Sequence, residues 1–172
     1  MAVRTILQIG DPHLKAKNKS IKNLNSPKTK QVINDLIDTM HANELVGIAA
    51  PQIGENYGIF VTEPRKTETR TGDQIDELRI YINPVITFQS KTKTVIYEGC
   101  GCVAKGALFG PVLRPKEIEI QSYNMDKHKF SLRCDGLLAR VIQHEYDHLN
   151  GIEFTERIDD YRKFYQMWKQ KP

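Results

Sequence analysis

Apolar residues recur along this chain with two periods, and the changes from one to the other mark its elements. Val32, Ile33, Leu36, Ile37 and Met40 follow helical spacing. Ahead of them, Ser26-Pro27 places an N-cap before a proline at the first helical position, so a helix is predicted over roughly 27–44. The small residues and proline of Gly47–Gly54 predict a shaped loop, and Tyr57–Thr62 and Leu78–Phe88 read as strands. The polar run between those strands, PRKTETRTGDQIDE, predicts a mobile surface loop. Glu117–Tyr123 and His128–Leu132 alternate with period two across Asn124-Met125-Asp126, the pattern of a hairpin. Helical spacing returns at Leu138, Val141, Ile142 and Leu149, with Asp135 placed to cap and Gly151 to stop. Ile158–Lys171 predicts a short last helix whose Tyr161, Phe164 and Trp168 pack on the body. With no repeat or linker, the expectation is one α+β domain over residues 1–172, its antiparallel sheets packed around the second helix.

That second helix carries the most specific chemistry. His144-Glu145-Tyr146-Asp147-His148 is an H-E-x-x-H box, and residues four apart on a helix share one face, so both imidazoles can reach one metal ion. Glu145 then stands ready to move the protons of a water that the metal polarises. The pattern points to metal-assisted hydrolysis. Its class depends on a third ligand, because a catalytic site keeps three protein ligands and one open position. The metzincin extension holds through Gly151 but ends in Phe154, which cannot ligate. A downstream glutamate has only Glu153 and Glu156 as candidates, both close to the box. Upstream, Glu98-Gly99-Cys100-Gly101-Cys102 offers a thiolate.

Composition narrows the setting. A chain with 40% hydrophobic and 27% charged residues reads as an ordinary globular protein, and a net charge of +4 gives no basis for a DNA partner. No apolar run is long enough for a signal peptide or a bilayer span, so no membrane partner is expected. Three cysteines are an odd number and too few for a disulfide framework, which fits a reducing, cytoplasmic setting.

Three boxes taken together resemble the peptide deformylases. Gly47-Ile48-Ala49-Ala50-Pro51-Gln52, Glu98-Gly99-Cys100 and Gln143-His144-Glu145-Tyr146-Asp147-His148-Leu149-Asn150-Gly151 are similar to that family's G-x-G-x-A-A-x-Q, E-G-C-x-S and Q-H-E-x-D-H-x-x-G, in the same order. The resemblance implies that Cys100, His144 and His148 hold one divalent metal ion per chain. Fe2+ is the physiological expectation, and Zn2+, Ni2+ or Co2+ can replace it in purified protein. Glu145 would be the general base, and the Gln52 side chain and the Gly101 N–H the oxyanion donors. The substrates would be N-formylmethionyl peptides, with the ribosome near its tunnel exit as a possible partner. Val46, Leu137 and Val141 would line the methionine pocket, and Gly47 would let the loop backbone run close to the substrate. Arg140, at the same wall among the substrate-binding positions, is expected to turn outward with its stem packed on the surface or else to face the cleft.

Leu45, Gly101 and Cys102 depart from the family's usual glycine, leucine and serine. Val103–Pro115 is longer than usual and is expected at the cleft rim. Three rival readings share some of these features: a metallopeptidase cutting internal bonds, a deacylase for another N-acyl or formylated substrate, and a metal-binding homologue without turnover.

Overall fold

The computed structural model describes residues 2–67, 70 and 72–166. Helix α1 (Pro27–Ala42) starts as expected, with the Ser26 side chain accepting from Thr29 N–H. The segment read as a loop is strand β1 (Gly47–Ala49) followed by a 3-10 turn, Ala50–Ile53. Strands β2 (Ile59–Thr62), β3 (Arg79–Gln89), β6 (Glu117–Tyr123) and β7 (Lys129–Asp135) complete an antiparallel sheet in the order β1-β2-β3-β6-β7. The predicted hairpin is the β6–β7 pair, in register from Glu117–Asp135 to Tyr123–Lys129.

Every residue of β2 is buried, which requires cover on both faces of the sheet. Ile59 and Val61 point into a core shared with Val32, Ile33, Leu36 and Met40 of α1. Phe60 alternates to the other face and joins Tyr81, Ile118, Ile120, Ala139 and Ile142. Ala139 and Ile142 belong to helix α2 (Gly136–Leu149), the predicted central helix. Gly151 follows it at φ 69°, a left-handed position that ends the helix.

Three more strands were not anticipated. Strands β4 (Lys93–Gly99) and β5 (Leu108–Pro115) pair along their length, and β8 (Tyr165–Gln166) adds to β5. This second sheet lies against the other side of α2, so the helix runs between two antiparallel sheets, as expected. The predicted cleft rim at Val103–Pro115 is thus mostly strand, preceded by a 3-10 turn at Ala104–Gly106.

The C-terminal helix is a correction. Asp160 caps only a 3-10 turn, Tyr161–Lys163, and the chain then spends its backbone hydrogen bonds on β5. Tyr161 is 80% exposed, whereas Phe164 packs edge-on to Phe154 with ring centroids 6.2 Å apart. The rest of that predicted helix, including Trp168, lies outside the described residues. Asp135 is a second correction, since its side chain makes no cap. Gln74 Oε1 accepts from Leu137 N–H at 2.7 Å instead.

Candidate metal centre

The residues of α2 fall into two chemical faces. Leu137, Val141, His144, Glu145 and His148 share one face by steps of three and four. Across from it stands Cys100, immediately after β4 ends at Gly99. Cys100 Sγ lies 3.2 Å from His148 Nε2, and one donor atom each from Cys100, His144 and His148 falls within 4.8 Å of the others. One thiolate and two imidazoles, nearly enclosed, form a possible metal site of a type that suits zinc and iron alike.

His144 is oriented from behind. Its Nδ1 meets Glu98 Oε2 at 2.9 Å, which leaves Nε2 for the site. Glu98 itself is held by Arg114 through Nε at 2.7 Å and Nη2 at 2.9 Å, a bidentate clamp. Arg114 also reaches Asp147, inside the H-E-x-x-H box, at 2.6 Å, and so ties α2 to the second sheet. Burial alone would raise the Glu98 carboxyl, but the hydrogen bonds from Arg114 and His144 outweigh it and hold Glu98 well below the usual carboxylate range. The roles of Arg114 and Asp147 were not foreseen. The signal was present in the ionisable residue inside the box, though its partner is remote in sequence.

Glu145 contrasts with Glu98. It is buried, its Oε2 accepts no hydrogen bond among the described residues, and burial pushes its carboxyl up to about 7. An orphaned buried oxygen beside three convergent donors fits a group whose partner arrives with the metal and its water. Burial and the neighbouring His144 push His148 well below its ordinary value, favouring the neutral imidazole that a metal needs. The Cys100 thiol is pushed up by its hydrogen bond with Cys102 and by burial; a cation between Cys100 and the imidazoles reverses that, since a coordinating thiol loses its proton.

The first box closes the site from the five-stranded sheet. Gln52 is buried; its Oε1 accepts from Ala49 N–H at 2.6 Å, and its Nε2 lies 3.5 Å from Cys100 Sγ and 3.4 Å from Cys102 Sγ. Gly47 is demanded by proximity, because a Cβ there would fall 2.6 Å from both Glu145 Oε1 and Val141 Cγ1. The sheet can approach the functional face of α2 this closely only at a glycine.

Comparison with known proteins agrees with this geometry. The family model described as polypeptide deformylase matches residues 3–164. The peptide deformylase of Pseudothermotoga lettingae is 36% identical over 162 residues, spanning 94% of this chain and 86% of the relative. That of Thermomicrobium roseum is 38% identical over 160 residues, spanning 93% and 88%. A crystal structure of the Ehrlichia chaffeensis peptide deformylase in complex with actinonin superposes with a TM-score of 0.84 at 29% identity, covering 95% of this chain and 92% of that one. The chain belongs to the peptide deformylase family.

As a deformylase-family metallohydrolase, the chain brings most of the expected residues to one place. Cys100, Gln52, Gly47, Val141, His144, Glu145 and His148 converge, and Gly101 follows Cys100 in a buried turn. Leu137 lies on the same helical face, one turn before Val141, and is half-buried, as is Val46 beside Gly47. Arg140 is a correction. It is 5% exposed and turns neither outward nor into the cleft. Its guanidinium donates to Glu98 Oε1 at 2.8 Å, to the Val112 carbonyl at 2.9 Å and to the Thr94 carbonyl at 2.8 Å. Arg140 lies one turn before His144 at the flank of this face, but its guanidinium is turned to Glu98 and the second sheet, so it supports the site from the side and away from the cleft. Cys102 does not join the donor cluster either and packs fully buried beside Gln52.

Proposed function

We propose that this deformylase acts on N-formylmethionyl peptides, releasing formate and a free N-terminal methionine, through a single domain whose Cys100, His144 and His148 hold one Fe2+ ion. The observation that carries the reading is the buried, unpartnered Glu145 carboxylate beside a Cys-His-His donor set, with the Gln52 amide aimed at the same space. The bound ion supplies Lewis acidity toward the attacking water and the formyl oxygen. Glu145, with its carboxyl near 7, accepts the proton of that water and returns it to the leaving amine. Gln52 Nε2–H and the Gly101 N–H donate to the oxygen where negative charge develops. Glu98 keeps His144 in one tautomer throughout. Gly47, Val46, Leu137 and Val141 offer an apolar slot suited to an unbranched thioether.

A structure of the Acinetobacter baumannii peptide deformylase carries bound Met-Ala-Ser and superposes with a TM-score of 0.84 at 30% identity, covering 91% of this chain and 99% of that one. That tripeptide is what formyl-Met-Ala-Ser leaves on losing its formyl group, which supports this substrate class. Among the described residues no helix is long and apolar enough to cross a membrane, and Cys100, Cys102 and Cys134 are free thiols. The proposed setting is a cytoplasmic enzyme working on nascent chains near the ribosomal exit, and the family membership and free thiols fit it. With Arg140 withdrawn from the cleft, one reason to favour a different N-acyl substrate disappears.

The deciding experiment purifies the protein anaerobically with Fe2+ and measures formate release from formyl-Met-Ala-Ser, with Glu145→Gln as control. Release abolished by Glu145→Gln is the expected result. A metal-loaded protein that leaves this substrate intact would overturn the proposal, and cleavage of an unformylated peptide would identify a peptidase.

A further inference from the structure

The turn carrying Cys100 and Gly101 has an unusual support. Gly101 has no side chain with which to anchor itself, and the chain beyond it enters three successive left-handed positions, Ala104, Lys105 and Gly106, at φ 47°, 52° and 81°. Two of these are not glycine, so their backbone is strained and must be held by its surroundings. The holding comes from the N-terminal segment. Leu7 N–H donates to the Gln52 carbonyl at 2.9 Å and Ile9 N–H to the Cys102 carbonyl at 2.7 Å, so one strap crosses both boxes that face the functional side of α2.

Between those two bonds lies Gln8. Its Nε2 donates to the Gly101 carbonyl at 2.9 Å, with longer contacts of 3.4 Å to the Ile6 and Leu7 carbonyls. Its Oε1 accepts from Lys105 N–H at 3.0 Å. One planar amide thus bridges the start and the strained end of the turn. Packing reinforces it: a Cβ on Gly101 would meet Ile6 Cδ1 at 3.3 Å and Leu45 Cδ1 at 3.7 Å. The volume a side chain at 101 would need is filled by the strap and by Leu45, so Gly101 is located by contacts from outside its own turn.

We infer that Gln8 is a positioning residue for catalysis: its side-chain amide holds the Gly101 carbonyl and so limits the rotation about the φ and ψ of Gly101 that would swing the Gly101 N–H, in the preceding peptide plane, away from the developing oxyanion. This rests on the proposed function for its catalytic consequence, but not for the clamp itself. An oxyanion donor must be oriented before the reaction begins, since its contribution depends on paying no reorganisation during it. A glycine-centred turn is otherwise free to rotate that donor away.

The test compares the cobalt-loaded wild type with Gln8→Ala and Gln8→Glu. The glutamate keeps an acceptor for Lys105 N–H but has nothing to donate to the Gly101 carbonyl. Three quantities are measured: kcat and KM for formyl-Met-Ala-Ser, bound cobalt, and amide hydrogen exchange in the 101–106 segment. Both variants are expected to lower kcat by about tenfold with KM nearly unchanged, the signature of an interaction used in the transition state. Cobalt content should stay at wild-type level, and exchange in 101–106 should accelerate. Unchanged exchange in both variants overturns the clamp whether or not the wild type releases formate. Faster exchange with unchanged kcat in an active enzyme overturns the catalytic role. A fall in kcat that tracks cobalt loss assigns Gln8 to structure alone and also overturns it. A wild type inactive on this substrate contradicts the proposed function, and the exchange data then judge the clamp separately.

Discussion

The two faces of α2 are built on opposite rules. On the face toward β4 and β5, Arg140, Gln143 and Asp147 are buried and satisfied, each with at least two partners on a neighbouring element or on its own helix. On the face toward Cys100 and Gln52, Glu145 is equally buried but keeps an oxygen with no partner among the described residues, and its carboxyl is displaced upward. Buried polar groups are expensive, so an unpaired carboxylate oxygen beside a convergent donor cluster marks a place for a ligand or a water. The satisfied face holds α2 in place, and the unsatisfied face is the one that the proposed chemistry would use. Sequence spacing does not separate them, because Arg140 and Asp147 lie four and three residues from His144.

The largest effect should come from the unsatisfied face. Glu145→Gln removes the proton carrier while keeping the side chain's shape, and should lower kcat by about 10²–10⁴-fold. Formate release in the metal-loaded protein measures it. Comparable activity in the variant would mean that the orphaned oxygen marks no function, and the contrast between the faces would fail.

Next in size is the satisfied face. Arg114→Leu leaves Glu98 and Asp147 buried without the cation that links them. Breaking a buried charge network from one side costs about 3–5 kcal/mol, so chemical denaturation should show a loss of that order. The His144 ring would also lose its fixed partner geometry, and metal affinity should fall about 10–100-fold.

The faces should also respond differently to pH. In the metal-free protein the Glu145 carboxyl is raised by burial from 4.5 to about 7. A raised carboxyl favours the folded state while protonated, so its contribution is complete below pH 4.5 and disappears as pH climbs through about 7. The span corresponds to at most about 3 kcal/mol. Glu145→Gln should flatten the stability profile in that window and leave the metal-free variant more stable than wild type at pH 8. Glu98, displaced the other way, should contribute a stability that holds at neutral pH and is lost only in strong acid.

How much of this could be read from sequence followed the range of each interaction. The α1 cap at Ser26, the β6–β7 hairpin and the His144/His148 pairing are local, and each appeared as read. Strand β4 was missed because Val95, Ile96 and Tyr97 are all exposed while Glu98 is its buried residue and Thr94 is half-buried, so no apolar alternation marks it. The C-terminal helix failed because periodic aromatics cannot reveal that β5 has a free edge for Tyr165–Gln166. Arg140 was misjudged for the same reason. Its partners Glu98, Thr94 and Val112 are 28 to 46 residues away and lie on strands that the hydropathy pattern does not show.

Arg140 also provides the finest test of the comparison, because it lies one turn from His144 at the border of the two faces yet directs its guanidinium to the second sheet. Glu98 keeps the bidentate Arg114 when Arg140 is removed, so Arg140→Leu breaks only part of the network. What is lost is one charge-assisted bond and two donors to carbonyls of the second sheet, against some gain from burying an apolar side chain. The expected destabilisation is therefore about 1–2 kcal/mol, smaller than for Arg114→Leu. The discriminating measurement is catalytic. If Arg140 belongs wholly to the supporting face, KM and the preference among formyl-Met-Ala-Ser analogues with altered first or third side chains should match wild type. A changed preference would place its guanidinium in the cleft during turnover, and the division of α2 into a holding face and a working face would have to be redrawn at that residue.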